Sequence, residues 1–102
     1  MDTNHTILLI QASAAADTRT WSDYNSTELC LEAVCKIYEE HLKKVRQKLT
    51  VTYDVDDLFE FLNRLTDLSC MVLDTRRNVY IPRSREWIKA QLFNLLSKNH
   101  NF

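Results

Sequence analysis

The sequence predicts an α+β fold: a four-stranded antiparallel sheet with three helices on one face, in the order ββααββα. Three observations point there. The segment His5-Thr6-Ile7-Leu8-Leu9-Ile10-Gln11 is apolar at consecutive central positions, so a strand there carries apolar side chains on both faces. Three later stretches place apolar residues at the helical spacing i, i+3, i+4, i+7. Two short β-rich runs flank Asp74-Thr75-Arg76-Arg77, the pattern of a hairpin.

Each element has its own warrant. The first strand runs from His5 to Gln11, and small residues from Ala12 to Asp17 connect it to a second strand, Arg19-Thr20-Trp21-Ser22-Asp23-Tyr24. Asn25 suits the N-cap of a long helix, with Glu28 three residues on at capping-box spacing. Its inward stripe is Cys30, Ala33, Val34, Ile37, Tyr38, His41, Leu42 and Val45, held for four turns. The outer face pairs Glu32 with Lys36, Glu39 with Lys43 and Glu40 with Lys44. A basic link from Lys43 to Thr52 begins where positive charge complements the helix dipole.

The second helix starts at Asp54 as N-cap, has Asp56 and Asp57 in its first turn, and buries Val55, Leu58, Phe59, Leu62 and Leu65. Ser69 to Leu73 and Asn78 to Ile81 form the hairpin, and Pro82 ends its second strand. Ser84 caps a last helix carrying Trp87, Ile88, Leu92, Leu95 and Leu96.

Composition bounds the function. A chain of 102 residues with 45% hydrophobic and 26% charged residues reads as one globular domain, 1–102. No signal-peptide pattern or 18-residue apolar run stands in it, so a soluble protein that neither is secreted nor enters a membrane is expected. Three cysteines without paired spacing fit a reducing compartment. A net charge of −1 speaks against generic nucleic-acid binding. The chain has no glycine, which removes phosphate-cradling glycine loops and every dinucleotide-binding reading built on them.

Three helices cover one face of a sheet about 20 Å wide and scarcely two. On the first strand, Thr6, Leu8, Ile10 and Ala12 suit the helix side. His5, Ile7, Leu9 and Gln11 make an apolar centre with polar ends, as a patch with a rim would. Leaving Ile7 and Leu9 in water forgoes roughly 1.5–3 kcal/mol each, and a twofold interface recovers that on both copies. A homodimer through the open sheet face is therefore expected, the alternative being one helix that crosses to cover that face.

At this point the chain resembles the enhancer of rudimentary homolog family of small eukaryotic proteins. The resemblance rests on the first two strands and on Val34-Cys35-Lys36-Ile37-Tyr38-Glu39-Glu40-His41-Leu42-Lys43. It continues through Thr52-Tyr53-Asp54, Leu58-Phe59, Asp67-Leu68-Ser69-Cys70, Tyr80-Ile81-Pro82 and Trp87-Ile88-Lys89. These stretches are collinear over nearly the whole chain. The resemblance implies the same fold and a dimer seam containing Ile7 and Leu9; Gln11, Trp21 and Tyr80 are the further residues expected at that seam. It also implies a non-enzymatic adaptor, without cofactors, that holds peptide segments of RNA-processing proteins. Splicing, mRNA elimination, small-RNA maturation and the cell cycle are the contexts it suggests. The expected location is the nucleus, with the cytoplasm and RNA granules as further sites. Two departures suit a divergent paralogue: Val45-Arg46-Gln47-Lys48-Leu49-Thr50 replaces a loop that often contains Pro and Asn, and Ser97 to Phe102 lacks a basic tail. Loops and tails are where partner choice commonly lives.

Other chemistries find less support. The three histidines, His5, His41 and His100, are scattered, and Cys30 and Cys35 lie about 140° apart on their helix, too far round it to share a metal. Cys30 and Cys70 read as core residues, and His41 as a structural histidine on the buried stripe. The Asp54, Asp56, Asp57 cluster is capping chemistry before it is catalytic. Direct RNA binding is the second reading. It would use Lys43, Lys44, Arg46 and Lys48, or Arg76, Arg77, Arg83 and Arg85, with Trp21, Tyr24 and Tyr80 stacking on bases. Thr20 has Asp23 three residues on, the spacing acidophilic kinases prefer, and a phosphate there is expected to weaken a sheet-mediated dimer.

Overall fold

The computed structural model describes residues 4–98. Its elements are β1 (Thr6–Gln11), β2 (Arg19–Tyr24), α1 (Thr27–Arg46), α2 (Val55–Arg64), β3 (Asp67–Asp74), β4 (Val79–Arg83) and α3 (Arg85–Lys98), with a 3-10 turn at Ala16–Thr18. The order is ββααββα. The strands form one antiparallel sheet in the order β2-β1-β3-β4, with β1 and β3 central.

Register fixes which residues share a face. Leu8 stands opposite Ser22 and Cys70, and Ile10 opposite Thr20 and Leu68. Leu8, Ile10, Leu68 and Cys70 join one core with Cys30, Leu31, Val34, Leu42, Leu58, Leu62, Ile88 and Leu92. All three helices therefore pack on this face. The molecule is a slab of 45 × 36 × 21 Å, and the short dimension accommodates one sheet layer and one helix layer. Thr6 shares the core face at 0% exposure, its hydroxyl donating to Asn4 O and meeting Thr27 Oγ1 at 2.9 Å.

The first helix departs from its sequence reading in three ways. Its N-cap is Ser26, one residue beyond Asn25, because Ser26 has the extended backbone and its Oγ accepts from Leu29 N at 3.1 Å. Its buried stripe includes Leu31 and Cys35, whereas Ile37, His41 and Val45 are exposed. The helix is apolar around more than half its girth, so spacing alone fits two adjoining stripes. The outer-face pairing also differs: Glu39 accepts from Tyr53 Oη at 2.8 Å and Lys43 pairs with Glu40 at 3.2 Å. The Tyr53 bond ties the α1–α2 link down to α1.

With no glycine available, Gln47 takes the left-handed conformation after α1 (φ 54°) and Asn78 takes it in the hairpin turn (φ 57°). The Lys48 amide donates to Lys43 O there, closing the helix end. Asp54 caps α2 as expected, in a reciprocal box with Asp57. Pro82 does not end β4; it lies inside it, opposite Met71, which an edge strand permits. Ser84 caps α3, its Oγ accepting from Trp87 N at 3.3 Å. The adjacent Arg85 donates to Asn63 O and to Leu65 O, at the electronegative end of α2. That locks α3 against α2.

Candidate interaction surfaces

The opposite parity of the sheet has no helix over it. Trp21, Leu9 and Ser69 form one row across it; Asp23, Ile7, Met71 and Pro82 form the next; Leu73 and Tyr80 follow. Ile7, Leu9, Met71 and Leu73 are half-buried by neighbouring strands alone, while Trp21 is 59% exposed and Tyr80 41%. Taken as about 20 Å by 20 Å, this face has the size of the apolar patches that mark interaction sites.

His5 organises one end of it. Its Nδ1 lies 2.7 Å from Tyr80 Oη and its Nε2 lies 3.0 Å from Asp23 Oδ2. A neutral ring with its proton on Nε2 donates to Asp23 and accepts from Tyr80. One imidazole thereby links the two edge strands, β2 and β4, over the central ones. At the other end Gln11 is buried by its own chain: Oε1 accepts from Arg19 Nε and Nη2, and Nε2 donates to Ser13 O at 2.9 Å. Of the five residues expected at a seam, Gln11 has the least side chain left to offer.

Two other candidates fall on the wrong side. Tyr24 stands opposite Thr6 and packs against the core, so it does not join Trp21 and Tyr80 on one stacking platform. Thr20 is exposed but shares the helix-facing parity with Ile10, whose carbonyl accepts from its hydroxyl at 3.4 Å. The Thr20 hydroxyl therefore lies on the side of the sheet away from the open face.

The reactive groups are dispersed. Cys30, Cys35 and Cys70 are free and buried. Burial pushes the Cys30 thiol up to about 12, with Cys70 adding to it, and raises Cys35 and Cys70 to about 11 each. They stay protonated, as packing groups do. Among the described residues no three His, Cys, Asp or Glu side chains group to hold a metal, and no helix is long and apolar enough to cross a membrane. His41 is not on the buried stripe; it sits at the surface 5.0 Å from the Phe61 ring, centroid to centroid. His100 lies outside the described residues.

The two basic runs are largely in structural use. Arg46 donates to Thr52 O, Arg85 caps α2, Arg77 faces Asp74 at 3.9 Å and Arg83 lies over the Trp87 ring at 5.3 Å. The residues that sequence reasoning missed are Met71 and Leu73. Each parity of β3 mixes polar and apolar residues, Asp67 and Ser69 with Met71 and Leu73 on one side and Leu68, Cys70 and Val72 with Asp74 on the other, and pairing with β1 settles which one is open.

This geometry defines a class: a small two-layer α+β protein whose sheet is closed on one face and open on the other. The enhancer of rudimentary family model matches residues 2–101. The chain is 48% identical over 94 residues to the protein enhancer of rudimentary of Drosophila virilis, covering 91% of this chain and 90% of that protein. It is 42% identical over 99 residues to the enhancer of rudimentary homolog of Caenorhabditis elegans, covering 96% of each. It is 39% identical over 98 residues to the homolog of Arabidopsis thaliana, covering 95% and 90%. The chain belongs to the enhancer of rudimentary family, which is not known as a family of enzymes.

Proposed function

We propose that this protein is a non-enzymatic homodimeric adaptor that holds peptide segments of partner proteins in RNA-processing or gene-regulatory complexes. The observation that carries the proposal is the open sheet face. Ile7, Leu9, Met71 and Leu73 are left half-buried beneath exposed Trp21 and Tyr80, with a polar rim of His5, Asp23 and Arg19. Apolar centre and polar rim are the anatomy of a protein interface. A twofold dimer presents every other surface twice, so it raises the local concentration of two bound chains without new chemistry. The same reading sets the protein in the nucleus, with the cytoplasm and RNA granules as further sites. Splicing, mRNA elimination and small-RNA maturation are the contexts.

Affinity purification of wild type beside Ile7→Arg tests the reading. The variant is expected to lose its second copy and the partners that need two. If it retains both, the seam lies elsewhere. Direct RNA contact is tested by fluorescence anisotropy at 50 and 200 mM salt, where a tight complex with a steep salt slope would displace the adaptor reading.

A further inference from the structure

Ile37 and His41, which the core leaves outside, line a groove between α1 and α2. Ile37 is 39% exposed, His41 is exposed, and Ala12, just past the end of β1, closes one end. Phe61 and the largely buried Leu65 form the opposite wall of this open groove, whose volume is about 570 Å³. That lies in the range of sites that take a ligand of several side chains. Its wall is already ordered: Phe61 packs on Tyr38 at 4.9 Å and on His41 at 5.0 Å, and Tyr38 packs on Tyr53 at 5.0 Å. A rigid aromatic wall loses little freedom when something binds to it.

Charge at the rim says what kind of occupant fits. Glu40 is neutralised by Lys43 and Arg64 by Glu60, but Lys44 has no ion pair among the described residues. One unpaired cation beside an apolar floor suits one carboxylate. It is too little for a nucleic-acid backbone, which requires several phosphates to be neutralised. The geometry points to a docking groove between α1 and α2 for a short partner-protein peptide that places an apolar anchor on Ile37, Phe61 and Leu65 and an adjacent acidic residue at Lys44. This rests on the adaptor reading and gives its peptide contacts an address, away from the open sheet face.

The test is selection of a displayed library of random 12-residue peptides on the full chain. Enriched peptides are expected to carry Leu, Phe, Met or Trp next to Asp or Glu. By fluorescence anisotropy the best of them is expected to lose at least tenfold in affinity on Ile37→Glu and about tenfold on Lys44→Glu. Replacing its acidic residue with Lys is expected to restore binding to Lys44→Glu. Ile37 and Lys44 lie at the surface, so both variants are expected to keep the wild-type circular dichroism, thermal midpoint and mass in light scattering. Peptides that bind Ile37→Glu as well as wild type, but are lost on Trp21→Ala, would overturn the groove and leave the adaptor reading standing. Failure to enrich any peptide would overturn both. A charge swap that rescues nothing would refute the role of Lys44.

Discussion

The two faces of one sheet make the instructive comparison. On β1, Leu8 and Ile10 are 2% and 9% exposed beneath three helices, whereas Ile7 and Leu9, one residue away in each case, rest only against neighbouring strands. The side chains are of the same kind; only their parity differs. A strand alternates its faces by geometry, so a chain with helices for one face must leave the other to solvent or to a partner. Burial measured in a single chain thus separates what holds the fold from what is free to hold something else.

The comparison can be broken by substitution. Leu8→Ala is expected to lose about 2–5 kcal/mol of stability in urea unfolding, since it opens a cavity in a closed core. At equal protein concentration Leu9→Ala is expected to lose less, and its loss is expected to grow on concentration, as a residue buried between copies requires. Equal losses at all concentrations would erase the distinction between the faces.

The thiols probe the closed face by chemistry. Cys30, Cys35 and Cys70 have pKa values raised from 9.0 to about 12, about 11 and about 11 by burial. The folded state therefore binds protons more tightly than the unfolded one. That stability is complete below pH 9 and is lost as pH climbs from 9 through 11 and 12. At pH 8 all three are expected to react with an aromatic disulfide only as fast as the chain unfolds. Rapid native-state labelling of any one would contradict its place in the core.

Smaller effects test the helix ends that frame the groove and the core. Asp54→Ala removes the capping box of α2 and is expected to cost about 1 kcal/mol in thermal unfolding. Gln47→Gly relieves a left-handed non-glycine residue and is expected to raise stability by up to about 1 kcal/mol. A loss on Gln47→Gly would mean that its side chain contributes more than its backbone costs.

Much of this architecture was legible in the chain. The bounds of β2, the Asp54 cap and the parity of Leu8 and Ile10 follow from local rules that the structure obeys. The misreadings arose where two local solutions compete. Asn25 and Ser26 are both good caps, and only the extended backbone at Ser26 decides. Ile37 and His41 fit the helical period as well as Leu31 and Cys35 do, and the choice between stripes is made by the sheet and α2. Pro82 suits the end of a strand because its missing amide hydrogen forbids a central one, yet β4 is an edge and carries it inside. The groove was not legible. Ala12, Ile37, Phe61 and Leu65 meet only because α1 and α2 pack side by side near the end of β1, and no spacing in the sequence reports that.

The seam proposed between two copies at the open face sets the mass of the protein in solution. Multi-angle light scattering on wild type and Ile7→Arg measures it. Wild type is expected at twice 12.1 kDa and Ile7→Arg at 12.1 kDa with an unchanged circular-dichroism spectrum. A monomeric wild type, or a folded Ile7→Arg that keeps the doubled mass, would contradict the seam.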